Sequence, residues 1–505
     1  MRRISPVLYY TIYALSLAGG VSLIPGVYGI LVGERVGFVL FSYGVLLLAA
    51  VWLVKSLLEP SRPLHLDDVV VIAVASWILV PIFAAIPITI AIHIPFVDSW
   101  FEAVSGFTTT GLSMFSGAMD KTFHVYVPSV DQLPSTILLW RSFVQWVGGL
   151  GILVVFVALA LGAGMPPHLV GMAEGRYERL EPSLARSLRR LLLTYAVLTL
   201  VSTLLMWFSG MSLFDAINNA MAALSTGGFA THSTSIAYYH SFIVELVVIF
   251  AMVLGAANFA THYRVLFKKK FEWLKKDREL HLMLSLGAIG TILGAVILWH
   301  WHHFTPWKAF RYSLFQVMTS LTTTGFQTMN LGPTSPAFKF LLALMCIVGG
   351  SVLSTAGGIK LYRTVALLYI FKWTTSGTAK VRGEIEAYKI GDRVVTLDEI
   401  KQIVAVTVGF LLFWVIGTIA TLFIMPHVSL ADAMVETASA LCTVGISVGL
   451  TGAQSPLALK LLYIALMSLG RLEIVPYFAA ARIVCSKVKL ALRPRPARRR
   501  RPATL

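Results

Sequence analysis

Thr109-Thr110-Gly111-Leu112, Thr226-Gly227-Gly228-Phe229, Thr323-Thr324-Gly325-Phe326 and Thr443-Val444-Gly445-Ile446 repeat one pattern: Thr, a variable residue, Gly, then a bulky apolar residue. The register continues upstream. Counting the same distance back from each glycine reaches Asp98, Asp215, Tyr312 and Asp432, and nearer the glycine, Glu102, Asn219, Gln316 and Glu436. A single such run carries little weight, because small residues in membrane helices commonly serve close packing. Four in register, set in a very apolar chain, are what a four-sided ring of backbone carbonyls around a cation requires.

The surrounding composition excludes a soluble protein. Hydrophobic residues make up 57% of the 505 and charged residues 13%, about half the charged share of a soluble domain. Apolar runs long enough to cross a bilayer recur from end to end, so the chain reads as a polytopic membrane protein. The first run, Val7–Val32, is too long for a signal-peptide core and lacks a small-residue cleavage pattern. Cys346, Cys442 and Cys485 are far apart; they suggest no disulfide framework or metal spacing. The net charge of +17 could suggest nucleic acid. Its concentration in short connections and tails instead follows the positive-inside rule, so no nucleic-acid partner is expected.

Two spans, Val7–Val32 and Val36–Leu58, open the chain as an N-terminal segment over 1–63. One unit then recurs: a long apolar helix, a short amphipathic segment ending in Thr-x-Gly, and a second long helix. The four units are expected over 64–165, 187–268, 278–373 and 400–486, with a cytoplasmic linker at 374–399 and a basic tail at 487–505. First helices are read at Asp68–Ile92, Leu188–Phe208, His281–His300 and Ile403–Met425. Second helices are read at Ser135–Leu161, Phe242–Leu266, Ala337–Phe371 and Leu457–Ala480. The stretch from Asp98 to Gly111 is too short to cross about 30 Å of hydrocarbon and return as two helices. A half-helix that returns as extended backbone fits, and such backbone is tolerated where it lines a polar cavity or is buried in protein. Glycine at the turn permits the dihedrals required. The expected fold class is therefore an all-α membrane protein of four helix–pore-helix–helix repeats plus two N-terminal transmembrane helices. Basic segments Arg176–Arg190, Lys268–Arg278, Lys372–Lys401 and Arg493–Arg501 fall on one side if there are ten spans, which puts both termini in the cytoplasm.

With these residues in view, the chain resembles the TrkH/TrkG/KtrB family of potassium uptake proteins, over nearly its whole length. The resemblance implies a pseudo-fourfold pore in the inner membrane. It also implies a homodimer with one ion path per subunit and a cytosolic nucleotide-binding regulatory partner of the TrkA kind. Carried over residue by residue, the potassium-binding filter is Thr109, Thr110, Gly111, Thr226, Gly227, Gly228, Thr323, Thr324, Gly325, Thr443, Val444 and Gly445, with K+ as the transported ion. Only Thr443-Val444-Gly445 approaches the TVGYG filter of potassium channels; the other loops depart from it, which implies looser discrimination. In plant relatives Ser at the first filter glycine goes with sodium transport, so Gly111 favours potassium.

The third unit carries Gly349, Gly350, Ser351, Ser354, Thr355, Gly357 and Gly358, followed by Lys360 and Arg363. Four glycines in so short a stretch cost a continuous helix about 1 kcal/mol each. In the family this stretch is an intramembrane gate, and Gly470-Arg471-Leu472-Glu473 resembles its pattern around an arginine in the ion path. Arg471 in a membrane helix costs about 2.5–3.5 kcal/mol on insertion scales; the alternative to an ion-path role is pairing with Glu473 or snorkelling to the cytoplasmic side. Lys360 either sits at the gate or ends the Gly-rich loop. Glu102, Asn219, Gln316 and Glu436 are expected to brace the loops rather than touch an ion. His300, His302 and His303 around Trp301 read as an interfacial cap, and Arg498–Arg501 as a contact to anionic membrane lipids.

No Walker sequence, metalloprotease motif or dinucleotide fingerprint is found, so no enzymatic activity is expected. Three alternatives stay open: a potassium/sodium symporter of the same family, a potassium-binding subunit of an ATP-driven pump, and an organic-solute transporter built from inverted repeats.

Overall fold

The long helices are apolar around their whole circumference, and their packing is inverted relative to a soluble protein. Phe208 and Phe423 are 77% and 88% exposed, whereas Ser202, Thr291 and Thr421 are buried. That arrangement suits a hydrocarbon surround, where backbone and side-chain polar groups must find partners inside the protein. The computed structural model describes residues 2–151, 184–377, 389–390 and 393–492. The expected segments 152–165 and 493–505, including Arg498–Arg501, and most of the linker lie outside these.

The N-terminal pair comprises α1 (Pro6–Ala14) with α2 (Ser16–Leu31), and α3 (Arg35–Leu57). Close approach of α2 and α3 depends on glycine. A Cβ on Gly29 would stand 2.6 Å from the Gly37 Cα, closer than any side chain tolerates. The pair is fixed to the first unit by Glu34 in the intervening turn. Its carboxylate accepts the Ser135 and Thr136 backbone N–H groups, each at 2.9 Å, and so caps the next long helix from outside that helix. Burial would raise the Glu34 pKa, but hydrogen bonds from Thr136 and Ser135 outweigh it and hold the carboxyl below its ordinary value.

Four units follow. The first is α4 (Leu66–Ile92), half-helix α5 (Phe96–Phe107) and α6 (Ser135–Leu150). The second is α7 (Leu184–Phe208), half-helix α8 (Leu213–Leu224), and α9 (Phe242–Ala256) with α10 (Phe259–Lys268). After the short α11 (Glu272–Lys276) comes the third: α12 (Arg278–His302), half-helix α13 (Pro306–Leu321), and α14 (Pro336–Val348) with α15 (Leu361–Gly377). The fourth is α16 (Leu397–Ile424), half-helix α17 (Leu430–Leu441), and α18 (Leu457–Arg471) with α19 (Val475–Leu492). Three of the half-helices have 12 residues, which at 1.5 Å per residue is about 18 Å, well short of a bilayer. Asp98, Asp215 and Asp432 lie in the first turns of these half-helices, where a negative charge complements the dipole. Tyr312 breaks that pattern because α13 begins earlier, at the Thr305 cap.

Six described helical spans, α1 and α2 counted together as one, are long and apolar enough to cross a membrane, or seven if the bent α9–α10 pair is one span. The second helices differ from the sequence expectation. Only the third was expected to break, yet all of them end at an equivalent place. Gly148, Gly255, Gly349 and Gly470 stand at equal distances from the caps Pro134, Ser241, Ser335 and Pro456. Added side chains at Gly148, Gly255 and Gly470 would strike the Phe107, Leu224 and Leu441 carbonyls that close α5, α8 and α17. Beyond these points Gly151 takes φ 57°, α10 turns from α9 by 101°, and Glu473 and Ile474 take φ 60° and 66°.

Strands are minor. β1 (Arg2–Ile4) pairs in parallel with β2 (Leu58–Pro60), and β3 (Ser116–Met119) is antiparallel to β4 (Tyr126–Ser129).

Candidate ion-conducting site

Each half-helix ends in the same hydrogen-bonded turn. In the first, Thr109 N–H donates to the Gly106 carbonyl and Thr110 N–H to the Ser105 carbonyl. The same pair recurs at Thr226 and Gly227, at Thr323 and Thr324, and at Thr443 and Val444. This is the Schellman closure, whose left-handed residue is normally glycine. Here it is threonine every time, with φ of 54°, 51°, 53° and 52°. Two residues on, Gly111, Gly228, Gly325 and Gly445 also have positive φ (93°, 74°, 90° and 99°), while the residue between does not. Alternating the sign of φ breaks the strict two-sided alternation of an extended strand and lets neighbouring carbonyls turn toward a common side.

The loops meet in cyclic order. A Cβ on Gly111 would strike the Gly227 carbonyl oxygen; one on Gly228, that of Thr324; one on Gly325, that of Val444; and one on Gly445, that of Thr110. Each glycine thus packs against the carbonyl just ahead of the next unit's glycine, and the fourth unit closes on the first. Thr109, Thr110, Thr226, Thr323, Thr324, Thr443 and Val444 are all buried. The donors assembled there are backbone carbonyl and threonine hydroxyl oxygens, the hard ligands that suit an alkali cation. Among the described residues no group of three or more His, Cys, Asp or Glu is placed to hold a metal ion.

The limb beyond each glycine is braced from behind, as expected for Glu102, Asn219, Gln316 and Glu436. Glu102 accepts Met114 N–H at 2.6 Å and the Ser113 hydroxyl at 2.5 Å. Glu436 accepts Val448 N–H at 2.8 Å, Thr451 N–H at 3.0 Å and the Ser447 hydroxyl at 2.7 Å. Asn219 donates to the Tyr239 hydroxyl and Gln316 to that of Thr328.

The threonine side of the ring is covered. After Gly349 (φ 73°) the chain leaves α14, crosses to the second unit and returns to α15. Ser351 N–H donates to Ala256 O at 2.9 Å, and Leu353 O accepts Phe259 N–H at 2.8 Å. Thr355 donates to Leu224 O at 2.9 Å, accepts from the Thr226 hydroxyl at 3.2 Å, and lies against Gly255. Gly357 N–H donates to the Thr323 hydroxyl at 2.7 Å, and an added side chain there would strike Thr443 and Cys442. Gly350 packs against Ala356, the Ser354 hydroxyl bonds back to Ser351, and Gly358 (φ 75°) packs on Gly349. Lys360 (φ 82°) ends the loop with its ammonium on the Ala356 carbonyl.

Arg471 completes the cover. Its guanidinium donates to the Thr109 hydroxyl at 3.0 Å, the Thr355 carbonyl at 2.8 Å and the Gly148 carbonyl at 2.7 Å. It does not take Glu473 as its partner in these contacts; Glu473 pairs with Arg363. One cation therefore ties the fourth unit to the first loop and to the Gly-rich segment. His302 accepts Ser335 N–H at 3.0 Å, which makes it a helix cap for α14.

Several buried charges escaped the sequence reading. Glu245, Lys339 and Lys460 each lie one turn inside their helices and reach the next unit's half-helix. Glu245 holds Arg311 through two 2.8 Å bonds, Lys339 meets Asp432 at 2.6 Å, and Lys460 meets Asp98 at 2.5 Å as well as Asp120. In the first unit Arg141, one turn deeper, donates to Ala230 O at 3.2 Å. A charge at the same point of three second helices was the available signal.

A multi-spanning helical bundle that gathers four backbone loops into a closed ring belongs with the membrane proteins that pass small ions. The comparisons with known proteins agree. The TrkH family profile, described as cation transport protein, matches residues 37–490. The Trk system potassium uptake protein TrkG of Escherichia coli K12 is 31% identical over 82% of this chain and 84% of its own. An uncharacterized cation transporter of Methanocaldococcus jannaschii is 29% identical over 82% of each. The crystal structure of the potassium transporter TrkH from Vibrio parahaemolyticus superposes with TM-score 0.79 at 24% identity, covering 93% of this chain and 98% of that one. The chain belongs to the TrkH family of cation transport proteins.

Proposed function

We propose that this protein takes up potassium across the cytoplasmic membrane by gated permeation through the Thr-x-Gly ring. The observation that carries the reading is the cyclic packing of Gly111, Gly228, Gly325 and Gly445 on their neighbours' carbonyls. Carbonyls at Thr110, Gly227, Thr324 and Val444, with the carbonyls and hydroxyls of Thr109, Thr226, Thr323 and Thr443, replace the water shed by K+. The half-helix C-termini add partial negative charge. The segment 349–360 and Arg471 close the path on its threonine side; opening requires the Arg471 contacts to part. The naming of relatives as potassium uptake proteins supports the choice of ion.

Voltage suffices as the driving force. A potential of 100 mV is worth about 2.3 kcal/mol per charge, which corresponds to roughly fifty-fold accumulation. The same reading places both termini in the cytoplasm, divides the chain into the four units and flanking segments given above, and includes a homodimer and a TrkA-type regulatory partner. Purified protein in liposomes tests it: voltage-driven 86Rb uptake that sodium competes with only weakly is expected, and the absence of uptake overturns it.

A further inference from the structure

The second loop differs from the other three in one residue, and a buried side chain from another unit accounts for the difference. Where the first, third and fourth loops carry Thr110, Thr324 and Val444, the second carries Gly227. A Cβ at Gly227 would lie 2.6 Å from Oε1 and 2.7 Å from Nε2 of Gln145, so the glutamine occupies the space a side chain would need. Gln145 lies on α6 and is fully buried. Its Nε2 donates to the Gly227 carbonyl at 2.5 Å, and its Oε1 accepts Phe229 N–H at 3.0 Å. Both ends of the amide are thus used on the two residues that flank Gly228. The Gly227 carbonyl is one of the four that meet in the ring, against Gly111.

A carbonyl oxygen has two acceptor sites. An N–H on one of them draws electron density from the oxygen and restricts its direction, so the same oxygen binds a cation less strongly and adapts less to its radius. The geometry points to Gln145 as a positioning residue that sets ion discrimination: it makes the second loop a weaker and stiffer ligand than the other three. The inference rests on the ring being the ion path.

The test is reciprocal substitution with 86Rb and 22Na uptake measured side by side in liposomes. Gly227→Thr alone is expected to lose uptake, because the glutamine leaves no room. Gln145→Ala with Gly227→Thr is expected to regain it, since the second loop then matches the first and third. Gln145→Leu keeps most of the volume and frees the carbonyl, and is expected to change the Rb/Na ratio about fivefold, the effect of one hydrogen bond at one ligand. A double variant no better than Gly227→Thr, or Rb and Na uptake falling in parallel in Gln145→Leu, overturns the inference. Failure of the unsubstituted protein to take up Rb would instead count against the proposed function.

Discussion

Threonine at φ near +50°, in four copies, is conformationally expensive: left-handed backbone costs an L-residue about 1–2 kcal/mol and suits β-branched side chains least. The hydroxyls explain why the chain keeps it. Three of the four bond to the cover, through Arg471, Thr355 and the Gly357 N–H; glycine would fit the turn but remove those contacts. Two residues later a side chain is forbidden outright. Gly111→Ser forces the Gly227 carbonyl aside, so Rb uptake is expected to fall about tenfold, or about 1.4 kcal/mol, with sodium gaining relative to rubidium; parallel flux assays check this. The four glycines could be picked out in the sequence because the same Thr-x-Gly run recurs four times in one register, although the carbonyl each packs against belongs to another unit. Gln145 and Arg141 could not, since their partners lie far along the chain and no periodicity announces them.

At the scale of elements, the described second helices all end beside the half-helix C-termini that carry the ring. The break after Val348 could be read from its glycines. Those at Ala257 and at Glu473–Ile474 were not read, because each has only a lone glycine before it (Gly255, Gly470) and the left-handed residues are Glu473 and Ile474, types that give no turn signal; Pro476 just beyond was the one local cue. Arg471 is the element that joins these ends. Arg471→Ala is expected to raise Rb flux severalfold without changing the Rb/Na ratio, because it releases the cover from Thr109 and Gly148 and leaves the ring intact. Shortening the segment 349–358 is expected to do the same. Loss of discrimination in single-time-point flux ratios would mean that the segment itself selects ions.

Across the whole molecule, the units are held together by the buried charge pairs on one side of the ring. Lys460→Met strands Asp98 and Asp120, and removing one partner of such a pair costs about 3–5 kcal/mol; a lowered unfolding temperature in detergent is expected, with partial recovery when Asp98→Asn is added. Asp120 also gives a pH dependence. Burial would raise its pKa, but bonds from Lys460 and from the Phe123 and Thr122 N–H groups prevail and lower it. A folded pKa below the unfolded value of about 3.9 means that its contribution is present above that value and fades as pH falls through the lowered one. The difference in thermal unfolding between the unsubstituted protein and Asp120→Asn should therefore persist from neutral pH downward and shrink only when the medium is strongly acidic.

The contact of Gly445 with Thr110, and of Lys460 with Asp98, joins the last unit made by the ribosome to the first. Until residues near 460 emerge, the nascent chain has an open seam and no continuous wall around the axis. If the ring is the ion path proposed above, a chain that stops before this seam closes is expected to lose discrimination between rubidium and sodium.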